Sequence, residues 1–429
     1  MSVAYFWIFI FLMAAGMPVV FALLVGPGVS LILDDEGAFF SVLLSRLYNG
    51  MDSFPLMAVP FFILAGELMN TGGITRSIVR FCETLIGHFR GGLAQMNILS
   101  SLLFAGLSGS AVADTSALGK MLIPAMEENG YSKSFAAAVT AASSVIGPII
   151  PPSGIMIIYA FILDVSVAGL FAAGVVPGLM ISGGLMLMTN RLAKMRNYPV
   201  AAEKATWAER GRSLKKTILP LLTPVILLGG ILLGVFTPTE AAAVCAGYAL
   251  VVTLFITRTL TLAELPQVFI KAAQQSGVIL MLVGSAITFA WIITVSGMAT
   301  MAGESLTEVS ENVLLLLLLV NLFLFVVGMF LDAGPAIMIL GPVLAPIFIR
   351  LGLDPLHFAV VMCVNLTVGL ATPPMGLVLF VASSVSGEKT ERIAFQMLPF
   401  LAVEVVVIFL ITYFPALTLT LPRLLGFAD

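Results

Sequence analysis

Long apolar runs constrain this chain more than any other feature. Residues 3–33, 217–236, 277–296 and 400–419 each supply the roughly 20 apolar residues that a helix needs to cross a hydrocarbon core. Only 10% of the 429 residues are charged while 60% are hydrophobic, against about 25% charged in a soluble protein. With no water in the bilayer core, backbone N–H and C=O groups must be paired within the segment, which selects helices for runs of this kind. The expected fold class is an all-α polytopic membrane protein.

The few charges speak through their positions. A net charge of -3 offers no basic surface for nucleic acid. Cys82, Cys245 and Cys363 stand far apart without CxxC or Cys/His spacing, so neither a disulfide framework nor a metal cluster is expected. They read as small apolar packing residues. His88 and His357 lie near segment ends and read as satisfied interfacial histidines. The first run is too long for a cleaved signal peptide and lacks its basic n-region, so it is expected to remain as the first span. Residues 191–216 hold Arg191, Lys194, Arg196, Lys204, Arg210, Arg212, Lys215 and Lys216, and such density marks the cytoplasmic side. Counting outward, the stretch 298–311, with Glu304, Glu308 and Glu311 but no Lys or Arg, faces the periplasm. The same count gives a cytoplasmic N-terminus and a periplasmic C-terminus, with the chain in a bacterial inner membrane. No GxxxxGK[ST], HExxH or GxSxG occurs, so the chain is read as neither an ATPase nor an enzyme.

Internal self-similarity carries the most information. A gapless shift of 222 residues superimposes Gly106 on Gly328, Gly119 on Gly341, Pro124 on Pro346, Gly130 on Gly352, Gly147 on Gly369, Pro151-Pro152 on Pro373-Pro374 and Gly154 on Gly376. It also carries the amphipathic stretch 41–52 onto 263–274. Taking 3–33, 54–69, 134–163, 168–189 and 217–236 as spans gives an odd number between the units, so the repeat is expected to be inverted.

Two kinds of interrupted segment recur in each half. The first is an apolar stretch with a polar, small-residue centre, around Ser108-Gly109-Ser110 and again around Asp332-Ala333-Gly334. Arms of about 15 residues are too short to cross ~30 Å at 1.5 Å per residue, so each stretch is expected to form a re-entrant helical hairpin. The second is a span broken over 143–154 and again over 365–376. Paired prolines remove backbone donors there, and the flanking glycines allow irregular dihedrals. Unwound backbone at this depth requires a protein-lined or wet cavity. Freed carbonyls with Ser, Thr and Asn oxygens make a hard-oxygen cage suited to Na+, and the half-helix N-termini beyond suit an anion.

At these residues a family resemblance appears. Gly147-Pro148-Ile149-Ile150-Pro151-Pro152-Ser153-Gly154, the hairpin from Leu107 to Gly119, and Thr372-Pro373-Pro374-Met375-Gly376 resemble the large (M) subunit of a tripartite ATP-independent periplasmic (TRAP) transporter, along essentially the whole chain. The resemblance implies Na+-driven uptake of an organic acid anion such as sialic acid or a C4-dicarboxylate, by elevator movement of a transport domain against a scaffold. It implies two partners: a small four-helix membrane subunit, here a separate chain, and a periplasmic substrate-binding protein. Two or more Na+ per monoanion would also draw on the membrane potential, at about 2.3 kcal/mol per charge per 100 mV. Membrane lipid surrounds the whole.

On this reading one Na+ site takes Ser108, Gly109, Ser110, Ser144, Gly147 and Pro148. A second takes Asp332, Gly334, Asn365, Thr367, Gly369 and Thr372. Pro151, Pro152, Gly154, Pro373, Pro374 and Gly376 shape the breaks, while Ser153, Met375, Asp114, Thr115 and Ser116 approach substrate. Asp114 and Asp332 have two readings, as functional intramembrane carboxyls or as helix caps. Glu67 and Glu404 have three readings, at membrane depth, paired across the scaffold or facing the small subunit, and Lys120 follows the first tip as a compensating or snorkelling charge. The stretches 41–52, 74–88 and 262–275 read as interfacial helices. The expected division is scaffold and arm helices over 1–90, first hairpin and broken helix over 91–165, and scaffold with the basic loop 190–216 over 166–312. The second hairpin and broken helix take 313–385, and a C-terminal scaffold helix takes 386–429. The alternative is a stand-alone divalent-anion/Na+ symporter, which needs no partner; a channel or an intramembrane enzyme is further off.

Overall fold

A computed structural model describes residues 4–198, 204–310 and 312–428; Val3, Glu311 and residues 199–203 of the basic loop lie outside them. The first half runs α1 (Ala4–Ala14), α2 (Val19–Leu33), α3 (Phe40–Met51), α4 (Ala58–Thr71), α5 (Ile74–Ile86), α6 (Gly92–Ser108), α7 (Ala111–Glu128), α8 (Lys133–Ser144), α9 (Gly154–Ile162) and α10 (Val167–Met195). The second runs α11 (Trp207–Leu232), α12 (Pro238–Val251), α13 (Leu265–Val295), α14 (Met298–Val309), α15 (Val313–Phe330), α16 (Ala333–Arg350), α17 (Pro355–Gly369), α18 (Leu377–Ser386), α19 (Thr390–Tyr413) and α20 (Ala416–Leu424). α7 and α16 are offset by 222 residues at both ends, as are the first residues of α8 and α17.

Three expectations change. The run 3–33 is not one span but two helices: Gly16 takes φ +85° and Pro18 caps α2, so α1 folds back along α2. Gly26 lets the helices meet, since a Cβ there would stand 3.1 Å from the Tyr5 carbonyl oxygen. Hydropathy hides this reversal because both helices are apolar. The stretch 262–275 is not a separate interfacial helix either, for α13 runs unbroken over 31 residues. Its counterpart in the first half bends by 55° between Met51 and Pro55. The cause is local: Pro55 withholds a backbone donor, and Gly277, which replaces it, does not.

The hairpin arms are also longer than expected, with 17 residues in α6 and 18 in each of α7, α15 and α16. At 1.5 Å per residue an 18-residue arm reaches ~27 Å, so length alone does not stop an arm from crossing. The connections are what remain distinctive, because only Gly109-Ser110 and Leu331-Asp332 separate the arms.

Packing gathers the helices around the two breaks. α8 and α9 flank the first break, and α17 and α18 the second. α10 packs on α6, α17, α19 and α20, while α19 packs on α8. On the other side α13 packs against α2, α3 and α4, and α12 against α4. α15 crosses α17 where two glycines abut. A Cβ on Gly328 would stand 2.8 Å from the Leu366 carbonyl oxygen and 3.0 Å from the Gly369 Cα.

This crossing gives the first prediction. Gly328→Val forces two backbones apart, and overpacking of that kind costs about 1–3 kcal/mol. The purified protein should unfold several degrees lower in a thermal scan, whereas Gly277→Ala, where a Cβ meets open space, should not shift the midpoint. Equal midpoints for the two variants would contradict the close crossing.

Candidate functional site

The first hairpin tip is built by capping chemistry. α6 ends at Ser108, Gly109 takes φ +58°, and Ser110 caps α7 by accepting from the Ala113 N–H at 3.4 Å. Asp114, one turn along, is 0% exposed. Its Oδ1 accepts from the Ser108 hydroxyl. Its Oδ2 has no hydrogen-bond partner and lies against the Gly147 Cα, where any side chain would collide with it. Thr115 and Ser144 join hydroxyls at 2.6 Å, so the tip and α8 are tied beside that carboxyl.

The first break covers residues 145–153. Its backbone keeps a helical turn as far as Ile150, whose N–H donates to Ile146 O at 2.9 Å. Ser153 then caps α9, accepting from Met156 N–H at 3.3 Å while its hydroxyl donates to the Pro148 carbonyl. The Pro152 carbonyl faces the hairpin tip, 3.0 Å from where a Gly109 Cβ would stand. The tip of α6–α7 therefore ends at the break, halfway along α8–α9. Pro151-Pro152 and Pro373-Pro374 are both cis peptide bonds.

The second tip uses a carboxylate directly: Asp332 caps α16, accepting from Ala333 N–H at 2.8 Å. Gly334 opens onto space. The second break spans 370–376, so α17 continues four residues past Asn365, beyond the expected start of unwinding. Asn365 bonds to the first arm of the hairpin, donating to Asn321 Oδ1 at 2.7 Å, and its own Oδ1 has no partner. Thr367 spends its proton on Cys363 O at 2.7 Å and Thr372 on Val368 O at 2.9 Å. Gly376 folds into the break, with Thr372 N 2.8 Å from an added Cβ.

One cavity of 1360 Å³ joins these parts. Ser108, Gly109, Ser110, Ser116, Pro148, Pro152, Gly154, Asp332 and Gly334 line it. Asp114, Thr115, Ser144 and Gly147 sit behind that lining as a buried layer, with Ser153 bonded inside the break. Pro151, Asn365, Thr367, Gly369, Thr372, Pro373, Pro374 and Gly376 do not line the cavity, and Met375, 50% exposed, does not either. Lys120 and Glu67 are in the lining. So are Asn70, Arg76, Gln274 and Gln275, which sequence reasoning passed over. Gln275 donates to Glu67 at 3.3 Å. The signal for Arg76 was a lone cation straight after the Gly72-Gly73 turn; nothing in the sequence pointed to the glutamines.

Oxygen is the donor available here: hydroxyls, carbonyls and the orphaned Asp114 Oδ2. Such a set fits a hard cation of the Na+ type. Among the described residues no three His, Cys, Asp or Glu side chains converge.

Known proteins match this chain along nearly its whole length. The family model described as "Tripartite ATP-independent periplasmic transporter, DctM component" matches residues 6–417. The chain is 41% identical over 420 residues, 97% of its length and 98% of the relative, to the sialic acid TRAP transporter large permease protein SiaM of Vibrio cholerae. It is 35% identical over 435 residues to the C4-dicarboxylate TRAP transporter large permease protein DctM of Rhodobacter capsulatus, covering 98% of each. With the 2,3-diketo-L-gulonate TRAP transporter large permease protein YiaN of Escherichia coli K12 it shares 39% over 404 residues, 94% of this chain and 95% of that one. Among solved structures, the YdaH transporter of Alcanivorax borkumensis superimposes with a TM-score of 0.63 at 18% identity, over 92% of this chain and 90% of its own; that likeness is one of fold. The chain belongs to the DctM family, the large membrane permeases of the tripartite ATP-independent periplasmic transporters.

Proposed function

We propose that this permease carries an organic acid anion inward across the bacterial inner membrane, driven by Na+, together with a small membrane subunit and a periplasmic binding protein that delivers the anion. The carrying observation is the single cavity lined by both hairpin tips and edged by both helix breaks. A tip that meets its break halfway along a broken helix stands at mid-membrane, which supports the re-entrant reading although the arms are long enough to cross. Inverted units with broken helices are the arrangement in which cation and anion sites arise at the midplane. Sialic acid, C4-dicarboxylates and 2,3-diketo-L-gulonate, the ligands in the relatives' names, share a carboxylate and little else, so an organic acid anion is the class we assign.

Two Na+ positions follow. Ser108, Ser110, Asp114, Ser144 and Gly147 would hold one, and Asp332, Gly334 and Thr372 with carbonyls of the second break the other; bound Na+ would supply the positive charge that offsets the anion. With the basic loop cytoplasmic, counting α1 and α2 as two crossings would put both termini on the periplasmic side, although α1, at 11 residues, is shorter than a full span. The close packing of α10 and α19 on the broken helices supports assigning both to the moving body of an elevator, against α1–α5 and α11–α14 as scaffold.

Two predictions test the reading. Asp332→Asn keeps an N-cap acceptor but removes the charge, and Asp332→Ala removes both. If the charge serves Na+, both variants lose about tenfold or more of Na+-stimulated uptake, the scale of one charged hydrogen bond. If Asp332 only caps α16, the Asn variant transports normally. Thr372→Val, which deletes one oxygen at constant volume, should likewise raise the Na+ concentration needed for half-maximal uptake. For the partners, proteoliposomes holding this chain alone should show no Na+-driven uptake until the small subunit and the loaded binding protein are added. Uptake by the chain alone would favour a self-sufficient symporter instead.

A further inference from the structure

The 222-residue shift pairs positions of like backbone role but unlike charge, and some of the unlike pairs bear on the cavity. Arg76 on α5 and Lys120 on α7 both line it, alongside Ser116. Both are exposed, and neither makes an ion pair or a side-chain hydrogen bond among the described residues. Their equivalents in the second half are Met298 and Pro342. α5 also carries Arg80, where α14 has Ala302. Conversely, Glu304 on α14 falls on Cys82 of α5. Neither Met298 nor Pro342 lines the cavity, whose cations are Arg76 and Lys120 and whose carboxylates are Glu67 and Asp332.

We propose that Arg76 and Lys120 form a one-sided vestibule that concentrates organic anions at the α5 end of the cavity and receives the substrate carboxylate as it leaves the mid-membrane site. The carboxylate part rests on the function proposed above; the electrostatic part does not. Arg76 sits on an arm helix and Lys120 on a hairpin helix, so the two cations act together in the conformation in which hairpin and arm share this cavity. Two free cations raise the local concentration of an anion and depress that of a cation. In water a unit charge ~10 Å away changes each by about twofold, and cavity walls of low dielectric enlarge the effect by focusing the field. The second half, with Met298 and Pro342, provides no such well. An anion passing through inverted but unequally charged ends meets a sink on one side only, and in the topology above that side is the cytoplasm. The plainer account, that both cations merely mark the cytoplasmic face and extend into solvent, predicts no field inside the cavity.

Thiol chemistry separates the two without any need for transport. Cys82, Cys245 and Cys363 are buried, so Ser116→Cys introduces a reporter thiol in the cavity lining of the full-length chain in membranes. Its reaction rates are measured with an anionic reagent, methanethiosulfonate ethylsulfonate, and with a cationic one, the ethyltrimethylammonium analogue. The anionic-to-cationic rate ratio should fall about fourfold on Arg76→Gln, by a similar factor on Lys120→Gln, and multiplicatively in the double variant. Arg76→Lys and Lys120→Arg, which keep the charge, should retain the ratio and so separate charge from misfolding. An unchanged ratio in both Gln variants overturns the proposal. A falling ratio in an assembly that transports no organic acid would leave the vestibule standing and remove the function proposed above.

Discussion

Each hairpin is held to its broken helix by backbone meeting backbone, and the rest of the site depends on those two approaches. At the first, Gly109 lies against the Pro152 carbonyl and the Gly154 N–H; at the second, Gly328 lies against Leu366 and Gly369. No side chain intervenes at either place; at the first the Pro152 carbonyl of the break stands within reach of the hairpin tip, and at the second two helices, α15 and α17, cross just before the break. Main-chain atoms freed at a break need partners in a medium that offers none. The Ser153 hydroxyl supplies one, donating to the Pro148 carbonyl, while Ser108 spends its proton on Asp114 Oδ1 and leaves Oδ2 without a partner beside Gly147.

The features legible in the sequence were those enforced by backbone chemistry. Gly109, at φ +58°, marked the first tip and the paired prolines marked both breaks, whereas the second tip, Leu331-Asp332, was located through the repeat around it. Side-chain destinations were less legible. Asn365 and Thr367 looked like break residues by proximity to Pro373, yet α17 persists to Gly369 and turns Asn365 toward Asn321. Met375 shares the position of Ser153 under the repeat but not its role: Ser153 turns inward to cap α9, and Met375, with no hydroxyl to spend, lies half-exposed.

Hydropathy failed where both alternatives were apolar. The reversal at Gly16 separates two helices of equal apolarity, and only its left-handed dihedral followed by Pro18 marked the turn. The scaffold assignment of α10 and α19 rested on composition, which does not report which neighbour a helix packs on; in the fold both lie against the helices that flank the breaks.

The carboxylates show how the two halves have diverged while keeping one feature constant. Ser110 and Asp332 occupy equivalent positions, and each caps the second arm of its hairpin. In the first half the carboxylate lies one turn later, at Asp114, whose equivalent in the second half is Ala336. Positions four apart share a helix face, so moving the acid from the cap to the next turn leaves it beside the same tip. Each tip thus keeps one acidic group, exposed to the cavity in one half and sealed behind Ser108 in the other. On the Na+ reading proposed above, a site that holds a monovalent cation in an apolar medium needs about one compensating charge, since a second unpaired carboxylate there would carry its own desolvation cost. One acidic group per tip, in exchanged places, fits that constraint, and it leaves the two tips chemically unequal.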